Sequence, residues 1–92
     1  MSVEHRKNGE VAFIYEPEGG ARSVYVAGDF NNWDPGARRM VKVKDGSYRA
    51  KLELGPGKHQ YKFVVDGEWR PDPTADSQCT NEFGTINSVV AV

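Results

Sequence analysis

The chain is predicted to be all-β, an antiparallel sandwich of about seven strands, and three features of its 92 residues carry that expectation. Short runs of alternating apolar and polar residues are broken by Gly, Pro, Asn or Asp roughly every eight to twelve residues, the punctuation of a sandwich or barrel. No stretch carries the period of an amphipathic helix. Asp-Gly pairs stand between runs where a hairpin would turn, and successive hairpins need a second layer to bury their apolar faces.

In chain order the expected strands are Val11 to Tyr15, Ser23 to Gly28, Met40 to Lys44, Ser47 to Leu54, Lys58 to Val65, a short piece at Glu68 and Trp69, and Ile86 to Val92. The clearest alternation puts Tyr48, Ala50, Leu52 and Leu54 on one face and Ser47, Arg49, Lys51 and Glu53 on the other. Val24, Val26, Tyr48, Leu52, Tyr61 and Phe63 occupy the apolar phases and are expected in the core. Lys44-Asp45-Gly46 and Asp66-Gly67 read as hairpin turns with the positive φ of type I′, and Leu54-Gly55-Pro56-Gly57 as a third reversal. Arg70 to Gly84 has no period and reads as a long surface loop.

At 10.2 kDa one core is all the chain can build, so residues 1–92 are expected to form a single domain. Four Phe, four Tyr and two Trp supply the apolar area for it. A net charge of −1 offers no basic field, which argues against nucleic acid. Cys79 is the only cysteine, so no intramolecular disulfide can form. The first twenty residues hold no apolar run of signal-peptide or membrane-span length, and a soluble, cytoplasmic protein without membrane contact is expected.

Two tryptophans are poorly explained by a core. Trp33 lies in the turn composition Asn31-Asn32-Trp33-Asp34-Pro35, and Trp69 follows the Asp66-Gly67 turn between Glu68 and Arg70. Each is either a lid folded onto the sandwich edge or a flat apolar platform. Two platforms suit a sugar, whose C–H face packs on a ring while its hydroxyls take hydrogen bonds at the edge. In Lys58 to Val65 the core phase takes Tyr61, Phe63 and Val65. That leaves Lys62 outside with Gln60 and Val64, either as a platform neighbour or as a solvated lysine.

The string VYVAGDFNNWDP, then DGSYRAKLELGPGKHQYKFVVDGEWRPDP, then FGTINSVV, resembles carbohydrate-binding module family 48 over about Val11 to Val92. The family includes glycogen-binding domains of AMP-activated protein kinase β subunits and N-terminal domains of isoamylases and branching enzymes. The resemblance implies an early-set, immunoglobulin-like sandwich that is not an enzyme. It also implies an α-1,4-glucan ligand (glycogen, starch or maltooligosaccharides), with β-cyclodextrin as a surrogate and a kinase or glycogen-metabolising enzyme as partner. By position, Trp33 and Trp69 match the stacking tryptophans and Lys62 the hydrogen-bonding lysine. Phe83, Thr85 and Asn87 take the places of a ring-inserting leucine, a threonine and a sugar-bonding asparagine. Phe83 departs from the leucine and either stacks or anchors the loop inward. Ser88 stands in place of a second asparagine, as in the enzyme-linked members, many of which bind glucan poorly through this domain, whereas retention of both tryptophans and Lys62 points to the binding-competent kind.

Hydrolysis needs two carboxylates facing across a cleft. Asp29, Asp34, Asp66, Glu68, Asp72, Asp76 and Glu82 fall mostly in turns, where Asp caps backbone. His5, His59 and Cys79 show no metal-ligand or nucleophile spacing, and no cofactor pattern is present. Two functions remain: a glucan-binding module, or an immunoglobulin-like accessory domain for protein association with weak or lost sugar binding. They differ in whether the surface of Trp33, Lys62 and Trp69 is open or occluded.

Overall fold

The computed structural model describes residues 3–5, 9–17, 20–75 and 77–92, and among them nine strands form two antiparallel sheets. One sheet joins β1 (Val3–His5), β2 (Glu10–Tyr15), β5 (Tyr48–Glu53) and β4 (Val41–Lys42) in the order β1-β2-β5-β4. The other runs β3-β6-β9-β8, from β3 (Val24–Gly28), β6 (Lys58–Val65), β9 (Ile86–Ala91) and β8 (Ser77–Thr80), while β7 (Glu68–Arg70) also pairs with β6. No α-helix is present among the described residues.

The inward phases of the two sheets meet as alternation requires. Val11, Phe13, Tyr48 and Ala50 share one buried cluster with Val24, Val26, Tyr61, Phe63 and Val65. Phe13 meets Tyr61 edge-on, with ring centroids 4.9 Å apart. Of the expected core residues, Leu52 packs at the cluster margin instead of inside it.

Four expectations change. Strand count rises because β1 and β8 carry too little alternation to be seen: β1 is three residues long, with Val3 its only buried one, and Ser77–Thr80 has no buried residue. Each is held by pairing with the next strand, β1 opposite Val11 to Phe13 and β8 opposite Ile86 to Val89. The Arg70 to Gly84 segment is therefore not a continuous loop.

The Leu54 to Gly57 segment makes no hairpin, since β5 and β6 belong to different sheets. Gly57 instead exchanges backbone bonds with Val92 at 2.8 and 2.9 Å, which commits the chain to the second sheet.

Between β3 and β4 the chain also changes sheets. Val26 N–H donates to Arg38 O at 3.0 Å and Met40 N–H to Val24 O at 2.8 Å before Val41 and Lys42 pair with β5. The strand expected from Met40 to Lys44 is thus two residues, behind a buried Met40.

The two Asp-Gly turns differ as well. Asp66 and Gly67 have φ of 50° and 85°, the type I′ signature. Asp45 is not left-handed; Gly46, at φ 90°, closes a three-residue loop in which Asp45 Oδ1 accepts from Ser47 N–H (2.8 Å) and Oγ (2.6 Å). Those bonds, the hydroxyl first, hold the Asp45 carboxyl below its ordinary pKa.

Gly28 shows how tightly β3 meets β6. A Cβ there would lie 2.5 Å from Gln60 O and 2.5 Å from the Phe30 ring, and backbone on one side cannot yield. Gly28→Ala is expected to cost roughly 1–3 kcal/mol, as overpacking does. Denaturant unfolding measures it, and a midpoint equal to the parent's refutes the close approach.

Candidate functional site

On the edge of β6 away from β3, the partner strands leave a gap at one residue. Lys58 to Tyr61 pair with β9 and Phe63 to Val65 with β7, so Lys62 falls where one neighbour ends and the next begins. Alternation turns Lys62 and Gln60 away from the core. Trp69 stands opposite Val64 on that outer face, 45% exposed.

Trp33 arrives from the β3–β4 connection. Gly28 O accepts from Asn31 N–H (3.1 Å) and Trp33 N–H (2.9 Å), while the Asn31 side chain accepts from Gly28 N–H (3.0 Å) and donates to Val26 O (3.2 Å). This clasp bends the chain through two consecutive left-handed residues, Asn32 and Trp33, both at φ 57°. Such a conformation costs a non-glycine residue roughly 1–2 kcal/mol. The half-buried Trp33 ring is brought to 6.5 Å from that of Trp69, the planes tilted by 49°. Neither tryptophan belongs to the core cluster, whose margin ends at Phe30. Trp33 is therefore no lid on the core.

The third wall is the β8–β9 turn. Asn81 N–H donates to Thr85 O (2.8 Å) and Gly84 N–H to Asn81 O (3.1 Å), with Gly84 left-handed at φ 80°. Phe83 projects from the tip, 82% exposed, which rules out the inward anchor. Thr85 Oγ accepts from Lys62 Nζ at 2.9 Å, tying this turn to β6.

Together these walls enclose an open cleft of about 690 Å³. Trp33, Lys62, Trp69, Phe83, Thr85 and Asn87, scattered through the sequence, all line it. Asn87 is not the outward-pointing residue expected: it is 5% exposed, donating to Gln60 Oε1 (2.9 Å) and accepting from Asn81 Nδ2 (3.0 Å). Glu82 is the single carboxylate among the described lining residues and Lys62 the single cation, a balance suited to an uncharged ligand. Asp76 lies outside the described residues.

Sequence reasoning missed Gln60 and Asn81, and it placed Cys79 in a loop, whereas the thiol lies on β8 in the cleft wall. Asn81 carried a signal of a kind, an Asn four residues before a Thr with Gly between, which is turn chemistry. His59 is half-buried at the sheet end, with Nε2 2.8 Å from Gly55 O and Nδ1 3.3 Å from Asp29.

A β-sandwich carrying an open cleft floored by two tilted indoles and rimmed with amides, a hydroxyl and one ammonium has the make-up of a carbohydrate-recognition module. Residues 10–92 match a family profile described as the glycogen recognition site of AMP-activated protein kinase, and the chain belongs to that family. It is a non-catalytic glycogen-recognition module, as the resemblance implied. Among relatives, 5′-AMP-activated protein kinase subunit beta-1 of Sus scrofa is 37% identical over 79 residues, covering 86% of this chain and 62% of that protein. Subunit beta-2 of Mus musculus is 37% identical over 92 residues, 99% of this chain but 32% of its own length. The chain thus spans less than two thirds of these relatives. A solved maltogenic amylase from S. marinus superposes with a TM-score of 0.74 at 23% identity, over 90% of this chain and 13% of that one, a likeness of fold.

Proposed function

We propose that the cleft binds single α-1,4-linked glucan chains, as found in glycogen, starch and maltooligosaccharides. In this reading Trp33 and Trp69 stack on successive sugar faces, Phe83 adds a third apolar contact, Lys62 and Thr85 hold hydroxyls, and Asn87, bonded to Gln60 and Asn81, supports the polar wall behind them. The observation that carries it is the pair of indoles 6.5 Å apart at 49°, Trp69 exposed and Trp33 half-buried, both facing the cleft. Two platforms tilted against each other match a ligand whose successive rings turn, as α-1,4 linkage makes them, better than a flat ribbon. The open surface also favours sugar binding over the accessory-domain reading, which needs this face covered. Through it the module would tether a kinase or a glycogen-metabolising enzyme to cytoplasmic polysaccharide.

Titration with β-cyclodextrin and maltoheptaose, followed by tryptophan fluorescence, tests the reading. Saturable change at micromolar to millimolar sugar is expected, since both indoles lose water together. No change at millimolar sugar sinks it.

A further inference from the structure

The β8–β9 turn is organised by one side chain. Asn81 Oδ1 accepts from the backbone N–H of Phe83 at 3.0 Å and of Thr85 at 3.1 Å. Backbone N–H groups only donate, so these partners identify the carbonyl end of the amide, and the other end must be the NH₂. That NH₂ donates to Thr85 Oγ at 2.6 Å and to Asn87 Oδ1 at 3.0 Å. The Lys62 ammonium, also an obligate donor, reaches the same Thr85 oxygen.

A hydroxyl has two lone pairs and one proton. Both lone pairs of Thr85 are engaged, and no described residue accepts its proton. The same constraint passes to the next amides. Asn87 presents its carbonyl to Asn81 and so turns its NH₂ to Gln60 Oε1, which leaves the Gln60 NH₂ as that side chain's remaining polar group.

We infer that Asn81 is a positioning residue that sets the hydrogen-bond polarity of the cleft. Through it the Thr85 hydroxyl, beside the Lys62 ammonium and the Gln60 amide, is committed to donate. A bound sugar meets this wall with oxygen lone pairs: ring and glycosidic oxygens, or hydroxyls acting as acceptors. The inference rests on the glucan-binding reading and adds to it which partner supplies the proton.

Asn81→Asp separates polarity from loop support, because it keeps the acceptor for both backbone N–H groups and replaces the NH₂ with a second oxygen. The Thr85 proton then turns toward that oxygen and is lost to the ligand. Maltoheptaose affinity is measured by calorimetry for the parent, Asn81→Asp, Thr85→Val and the double variant, together with amide hydrogen exchange at Phe83 and Thr85. Asn81→Asp is expected to bind about five- to tenfold more weakly with both amides still protected. Thr85→Val should lose about as much, and the double variant less than the product of the two losses, since the Thr85 proton is lost to the ligand in both. Parent-like binding by Asn81→Asp, or losses that multiply in the double variant, overturns the inference. So does loss of amide protection in Asn81→Asp, which would make Asn81 a loop brace. A parent that does not bind overturns the glucan reading itself, and the inference with it.

Discussion

Trp69→Ala is expected to weaken maltoheptaose binding at least tenfold while leaving the melting temperature within a few degrees of the parent. Stacking contributes roughly 0.5–1.5 kcal/mol beyond the area it buries, and covering part of an indole at about 25 cal/mol per Å² adds a comparable amount. Their sum passes the roughly 1.4 kcal/mol that makes a tenfold change. The fold should barely register the loss, because Trp69 lies on β7 with nearly half its surface in solvent and outside the core cluster. Surface changes of that kind stay within about 0.5 kcal/mol. The matching change at the other platform is Trp33→Ala, which keeps the parent's left-handed backbone cost at φ 57° and so reports the lost ring alone, whereas Gly would also relieve that cost. Affinity and thermal unfolding are measured side by side. Early unfolding of Trp69→Ala with parent-like binding would show that the ring serves the fold and not the ligand.

Asp72→Ala should be the more damaging change to the fold, costing roughly 3 kcal/mol. The Asp72 carboxyl is fully buried where the chain leaves β7 for β8. It accepts from the Tyr61 hydroxyl at 2.5 Å and from Thr74 N–H at 2.9 Å and Oγ at 3.3 Å, while its own N–H donates to Ser88 Oγ at 2.8 Å. Three bonds at about 1 kcal/mol each disappear with the side chain. For a domain of this size that corresponds to more than about 10 °C in melting temperature. Asp72→Asn keeps the shape and an acceptor, and should recover part of the loss. Calorimetric unfolding of the three proteins measures it; equal melting temperatures would mean that the buried network contributes nothing net.

Asp72 also marks where sequence reading stops. As a turn residue it was legible, and its bonds to Thr74 two positions on are the expected Asx geometry. That the other carboxyl oxygen lies under the sheet against Tyr61 depends on how β6, β9 and the β7–β8 crossover stack, which no local pattern encodes. The same division holds elsewhere. Strands with strong alternation, such as Tyr48–Glu53, could be read directly. Ser77–Thr80 could not, because its four residues have no apolar face and exist as a strand only through pairing with β9. Gly55-Pro56-Gly57 announced a change of direction but not which sheet would receive the chain. In the cleft, the tryptophans and Lys62 stood out because a core does not explain them. Gln60 and Asn81 act on other side chains and look like ordinary polar residues in the sequence.

The cleft is assembled from three separated stretches: the β3–β4 connection with Trp33, the β6–β7 hairpin with Lys62 and Trp69, and the β8–β9 turn with Phe83, Thr85 and Asn87. An unfolded chain holds no two of these walls together, so a glucan that spans them engages the native state alone. Ligand and fold are then linked by mass action, and free glucan at a hundred times its dissociation constant adds about 2.7 kcal/mol to the free energy of unfolding. On a polysaccharide particle, where chain ends are crowded, the domain should outlast its free counterpart against heat and proteases.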